Sequence, residues 1–128
     1  MIKIYRSVFF FLIILVSFSA FSVPPETSIS LLYFDKFLHF TTFLVLSIFL
    51  DLSSSKPLLQ NKLYILLLIS YALLIEVVQY FLTYRDAEFL DFIFDLVGIL
   101  VYVMFAPKLE IRHQIWYIYS SSSYFYHL

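Results

Sequence analysis

Two long apolar runs, residues 63–82 and 89–106, flank the short polar stretch Thr83-Tyr84-Arg85-Asp86-Ala87-Glu88. The first run has 20 residues, and a helical rise of about 1.5 Å per residue carries it across roughly 30 Å of bilayer hydrocarbon. The second has 18, apolar except for Asp91, Asp95 and the single glycine, Gly98. Together they predict a transmembrane hairpin. Composition extends this to the whole chain: 62% of the 128 residues are hydrophobic and 13% are charged, the balance of a protein whose solvent is mostly lipid. The fold class is all-α, a polytopic integral membrane four-helix bundle in one domain.

Residues 1–107 are expected to form four membrane-spanning helices, at about 4–23, 31–50, 63–82 and 89–106, with 108–128 a cytoplasmic or interfacial tail. The first segment has Lys3 and Arg6, then an apolar run, then small residues around Ser22 before Pro24-Pro25. It is read as a retained helix, the alternative being a cleaved signal peptide. Asp51 to Lys62 reads as a loop, and Pro107 is expected to end the last helix. The tail carries Trp116, Tyr117, Tyr119, Tyr124, Phe125 and Tyr126, side chains that favour the headgroup level.

Basic residues set the orientation. Lys3, Arg6, Lys56, Lys62, Lys108 and Arg112 fall on one side of the four spans, and Lys36 and Arg85 on the other. The positive-inside rule then places both termini in the cytoplasm, in the bacterial inner membrane. A formal net charge of -1 provides no basic face for nucleic acid. The absence of cysteine excludes disulfides, thiol catalysis and thiolate metal ligation. No internal repeat and no Gly-x-Ser-x-Gly elbow occurs.

Ionisable side chains inside the spans are the functional clue, since each costs roughly 2.5–3.5 kcal/mol on insertion scales unless paired. Glu76 and Asp95 each lie six residues inside the outer end of a helix, about 9 Å deep, so they can meet at one level. Gln79 shares a face with Glu76, and Asp91 with Asp95. Asp35 and His39 repeat the one-turn spacing on the second helix, beside Lys36. Four carboxylates (Asp35, Glu76, Asp91, Asp95) against two cations (Lys36, Arg85) leave a surplus of two negative charges. A protonated carboxyl, a protonated His39 or a bound cation would relieve it. Asp95 is the expected protonated acid, and Asp91 is expected to face Arg85.

Asp35-Lys36-x-x-His39, Glu76-x-x-Gln79, Arg85, Asp91, position 95 and Gly98 together resemble the polar signature of the VanZ-like membrane proteins, a family named after a teicoplanin resistance protein. The resemblance spans roughly Asp35 to Val101. It departs at Asp95, where the family usually has Asn, and after Gly98, where a frequent second glycine is replaced by Val101 and Tyr102. It implies a four-helix cell-envelope protein linked to glycopeptide tolerance, and it supplies no settled biochemical activity.

Three function classes follow. The first is a binding protein for an anionic amphiphile or lipid-linked cell-wall precursor at the outer leaflet, with Arg85 and Lys36 for anions and the carboxylates for amines or sugars. The second is an intramembrane enzyme on a lipid-linked substrate, with His39 and Asp35 or Glu76 as acid and base. The third is a small proton-coupled transporter, for which four helices without a repeat would call for oligomerisation. Arg85 serves either a bidentate anion contact or an interfacial anchor. A hard-cation site of His39, Glu76, Asp91 and Asp95 is chemically allowed, but the spacing is not diagnostic, so no metal or cofactor is expected.

Overall fold

A computed structural model describes residues 2–24 and 34–109, together with residues 115, 118, 121 and 122. The expected loop at Glu26 to Ser30, residues 31–33 of the second predicted helix, and Trp116, Tyr117, Tyr119, Tyr124, Phe125 and Tyr126 lie outside these described residues. Four long helices are formed: α1 (Ile2–Phe21), α2 (Phe34–Leu52), α3 (Lys62–Phe81) and α4 (Phe89–Leu109). A single 3-10 turn, Leu58–Gln60, precedes α3, and no strand occurs among the described residues. The helices α1, α3 and α4 are long and apolar enough to cross a membrane. The charged first turn of α2 makes it the most polar of the four.

Helices α1 and α3 begin and end one or two residues earlier than expected, and two boundaries differ in kind. Asp51 lies in the last turn of α2 instead of opening a loop, and α4 continues through Pro107 to Leu109. A proline's fixed φ is itself helical, so the backbone can pass through position 107 at the loss of one amide donor near the helix end.

The helices alternate in direction. The α1 C-terminus meets the α3 C-terminus, the first turns of α2 and α4 meet at the same end of the bundle, and Arg6 of α1 reaches Ser53 beyond α2 at the other. The closest packing is between α2 and α4, with α1 against α2 and α3, and α3 against α4. Gly98 permits that approach. A Cβ there would collide with the Phe40 carbonyl and stand 3.1 Å from the Leu44 amide nitrogen.

The core is a set of inward stripes at helical spacing: Phe43, Leu46 and Leu50 of α2, Leu68, Ala72 and Ile75 of α3, and Ile99 and Tyr102 of α4. No residue of α1 is buried, and it leans on this core through Phe9, Leu12, Ile13 and Val16. Exposed large side chains such as Phe11, Ile14, Leu66, Leu73, Leu100 and Met104 cover the outside of the bundle. An apolar surface this continuous is suited to lipid. The chain is an integral membrane protein.

Below the core the stripes close on polar contacts. The Tyr102 hydroxyl donates to Asp51 Oδ2 at 2.5 Å, and Asp51 Oδ1 accepts the Leu58 amide at 2.9 Å. The Tyr102 hydroxyl thus ties α4 to the end of α2.

Candidate functional site: an ionic cluster at one end of the bundle

The inward stripes are apolar through the middle of the bundle, close on Asp51 and Tyr102 at one end, and are ionic at the other. Along α2, Lys36, His39, Phe43 and Leu46 follow one another at spacings of three and four. Along α4, Asp91, Asp95, Gly98 and Tyr102 do the same, as do Ala72, Ile75 or Glu76, and Gln79 along α3. Helical periodicity therefore points the ionisable side chains into the bundle because they occupy core positions. Glu76, Gln79, Asp91 and Asp95 are buried, and so is Lys36.

Lys36 gathers three carboxylates. Its Nζ donates to Glu88 Oε2 at 2.6 Å, to Asp91 Oδ1 at 2.9 Å and to Asp35 Oδ2 at 3.0 Å. All three donor hydrogens of an ammonium are thereby used. Asp35 and Glu88 are about half exposed, whereas the Asp91 side chain is 8% exposed. The inner pair is thus the one that depends on Lys36 for its charge balance.

His39 sits one turn deeper, bracketed by α4. Its Nδ1 lies 2.8 Å from Asp95 Oδ1, and its Nε2 lies 3.5 Å from Asp91 Oδ2. Glu76 approaches from α3, so that one ligand atom each from His39, Glu76 and Asp95 falls within 4.8 Å of the others. The equal depth expected for Glu76 and Asp95 is therefore realised. Both Glu76 carboxylate oxygens and Asp95 Oδ2 are buried without a hydrogen-bond partner among the described residues. Native buried polar groups seldom go unpaired.

Two expected roles change. His39 does not pair with Asp35, which is turned to Lys36; its partners are Asp95 and Asp91. Nor does Arg85 face Asp91. Arg85 donates from Nε to the Ser22 carbonyl at 2.8 Å and from Nη2 to the Ser19 carbonyl at 2.6 Å. Gln79 Nε2 donates to the Ala20 carbonyl at 3.0 Å, and the Tyr84 hydroxyl to the Phe21 carbonyl at 2.6 Å. Four consecutive carbonyls at the end of α1, which have no acceptor role within their own helix, are thereby satisfied by α3 and the turn after it. The sequence reading missed Glu88, placed in the hairpin turn. Its position three residues before Asp91 is the signal that would have found it, since i and i+3 share a face.

A cleft of about 370 Å³ opens between α1 and α2 and reaches this region. Asp35, His39, Gln79 and Arg85 line its polar part, and Leu15, Val16, Phe43 and Ile75 its apolar part. A larger cleft of about 510 Å³ lies toward the other end, lined mainly by apolar side chains with Arg6 and Ser53. Arg6 Nε donates there to the Ser53 carbonyl at 2.9 Å, but neither a carboxylate nor a histidine lines that cleft, whereas Asp35 and His39 line the smaller one.

A family model, VanZ/LLP1, matches residues 3–111. The chain belongs to the VanZ/LLP1 family. The match takes in all four helices, including α1, and contains every residue of the ionic cluster. No curated protein and no solved structure matches the chain significantly. For this VanZ/LLP1 protein the arrangement provides a histidine held between two carboxylates, a third carboxylate beside it, and a lateral cleft leading to them.

Proposed function

We propose that this VanZ/LLP1 protein binds an amphiphile that enters the α1–α2 cleft from the outer leaflet of the bacterial cytoplasmic membrane. The observation that carries the reading is the division of the cleft lining: Asp35, His39, Gln79 and Arg85 at one part, Leu15, Val16, Phe43 and Ile75 at the other. A headgroup and a hydrocarbon chain require such a pairing of surfaces. Arg85, whose Nε and Nη2 hold α1 carbonyls, keeps its charge at the cleft to attract a phosphate, while Asp35 and His39 suit the hydroxyls or amines of a sugar or peptide headgroup. A lipid-linked cell-wall precursor has this combination, and sequestering one would connect the protein to glycopeptide (teicoplanin) tolerance. The six-to-two distribution of basic residues supports cytoplasmic termini and an outward-facing ionic cluster.

A second reading, an intramembrane enzyme acting on a lipid-linked substrate, is favoured by one observation. His39 and Asp95 are 2.8 Å apart with Glu76 alongside, a geometry suited to proton transfer.

The test is the lipid that copurifies with wild-type protein, compared with a Val16→Trp variant whose added bulk fills the cleft. Enrichment of a polar lipid in the wild type and its loss in the variant is expected. Identical lipid profiles would overturn the binding reading, and conversion of the retained lipid on incubation would favour the enzyme.

A further inference from the structure

We propose that His39, Glu76 and Asp95 bind a divalent transition-metal cation of the Zn²⁺ class. One ligand atom from each residue already lies within 4.8 Å of the others. Bonds of about 2.1 Å draw ligand atoms to roughly 3–4 Å apart, so side-chain movement of about 1 Å closes the site without moving a helix. An imidazole nitrogen with two carboxylates suits Zn²⁺ better than Ca²⁺, and three protein ligands leave a position open.

A second observation points to a ligand. Glu76 is 8% exposed and Asp95 0%. Both Glu76 oxygens and Asp95 Oδ2 are buried without a hydrogen-bond partner among the described residues. Two buried carboxylates beside a histidine match the charge of one dication.

The neighbouring acidic group behaves differently, which sharpens the assignment. Asp35, Glu88 and Asp91 are also close enough to share an ion. Lys36 Nζ, however, lies within 3.0 Å of an oxygen of each, so an ammonium already fills that site. Asp91 then serves the inner site indirectly. With His39 Nδ1 turned to the metal, Nε2 lies 3.5 Å from Asp91 Oδ2, near enough to give it its hydrogen after a small rotation of the ring. Metal-bound histidines commonly give their second nitrogen to a carboxylate in this way. His39 also lines the cleft, which supplies a route for the ion.

The experiment uses the full chain, purified without a metal-binding tag, with His113 and His127 replaced by alanine throughout so that tail histidines contribute nothing. Equilibrium dialysis against Zn²⁺ should give one ion per chain. Glu76→Gln and Asp95→Asn should each weaken binding about ten-fold or more, and Ser70→Ala, at an exposed position of α3 outside both the cluster and the cleft, should leave it unchanged. X-ray absorption of the Zn²⁺-loaded parent, which does not depend on how the variants fold, should show one imidazole with oxygen donors. Failure of the parent to bind stoichiometrically, a shell without imidazole, or wild-type affinity in Glu76→Gln would each overturn the proposal. Lipid retention is read separately: Zn²⁺ binding with no retained amphiphile would remove the cleft reading and leave the metal site standing.

Discussion

Lys36 Nζ and Asp91 Oδ1, 2.9 Å apart, form a buried ion pair that joins α2 to α4, with side-chain exposures of 7% and 8%. Removing Lys36 takes from the buried Asp91 its ammonium partner in a low-dielectric site, at a cost of about 3–5 kcal/mol. Lys36→Met is therefore expected to destabilise the protein by about 3 kcal/mol. Lys36→Met with Asp91→Leu should recover part of that loss. Denaturant titration in detergent compares the three proteins, and a double variant no more stable than Lys36→Met would contradict the pairing.

Asp91 and Asp95 separate by the same logic. Asp95→Asn keeps an oxygen for His39 Nδ1, so fold and expression should be retained. Asp91→Asn removes the one buried carboxylate on Lys36, which keeps the half-exposed Asp35 and Glu88, and should lower stability by about 1–3 kcal/mol. Thermal unfolding of both variants decides between this order and its reverse.

Arg85 acts on α1. Arg85→Ala should release the Ser19 and Ser22 carbonyls, costing about 1–3 kcal/mol and exposing the end of the helix. Arg85→Lys has one compact donor group in place of the planar fork and should restore only part of that. Hydrogen exchange at the last turn of α1 measures the effect. Full wild-type protection in Arg85→Ala would show that the bonds do not hold α1.

Gly98→Ala places a methyl group against the Phe40 carbonyl, which belongs to backbone and cannot rotate away. The α2–α4 contact should open, with a loss of about 1–3 kcal/mol. Normal stability in Gly98→Ala would mean that the two helices have room to adjust.

Much of this architecture is legible in the sequence, and the misreadings have a common cause. Apolar run length locates α3 and α4, and helical rise brings Glu76 and Asp95 to one depth. Neither quantity says which helices are neighbours. Asp91 could be assigned to Arg85 because the two are six residues apart in sequence; in the fold α4 packs on α2, and Asp91 meets Lys36 instead. Arg85 and Gln79 could be grouped with the carboxylates by level, yet α3 also borders α1, whose carbonyls take their donors. Asp51 was legible only as a loop residue because its partners, Tyr102 and the Leu58 amide, come from other segments. Composition and period specify the elements, whereas partner choice depends on tertiary contacts.

The orientation that we propose from the basic residues is checked by labelling. This chain has no cysteine, so Ser55→Cys and Ala87→Cys, both at exposed positions, introduce single thiols at opposite ends of the bundle. An impermeant reagent applied to intact cells should label position 87 and spare position 55. The opposite pattern would invert the topology and turn the cleft toward the inner leaflet.

The central claim is that the α1–α2 cleft is a ligand site and not merely a gap filled by bulk lipid. Photo-crosslinking in living cells tests it most directly, with a photoreactive residue at Thr42, which lines the cleft, or at Leu66, an exposed position on α3. Mass spectrometry of the adducts should find one polar amphiphile species predominating at Thr42 and the bulk membrane lipids at Leu66. The same bulk lipids in the same proportions at both positions would contradict the account.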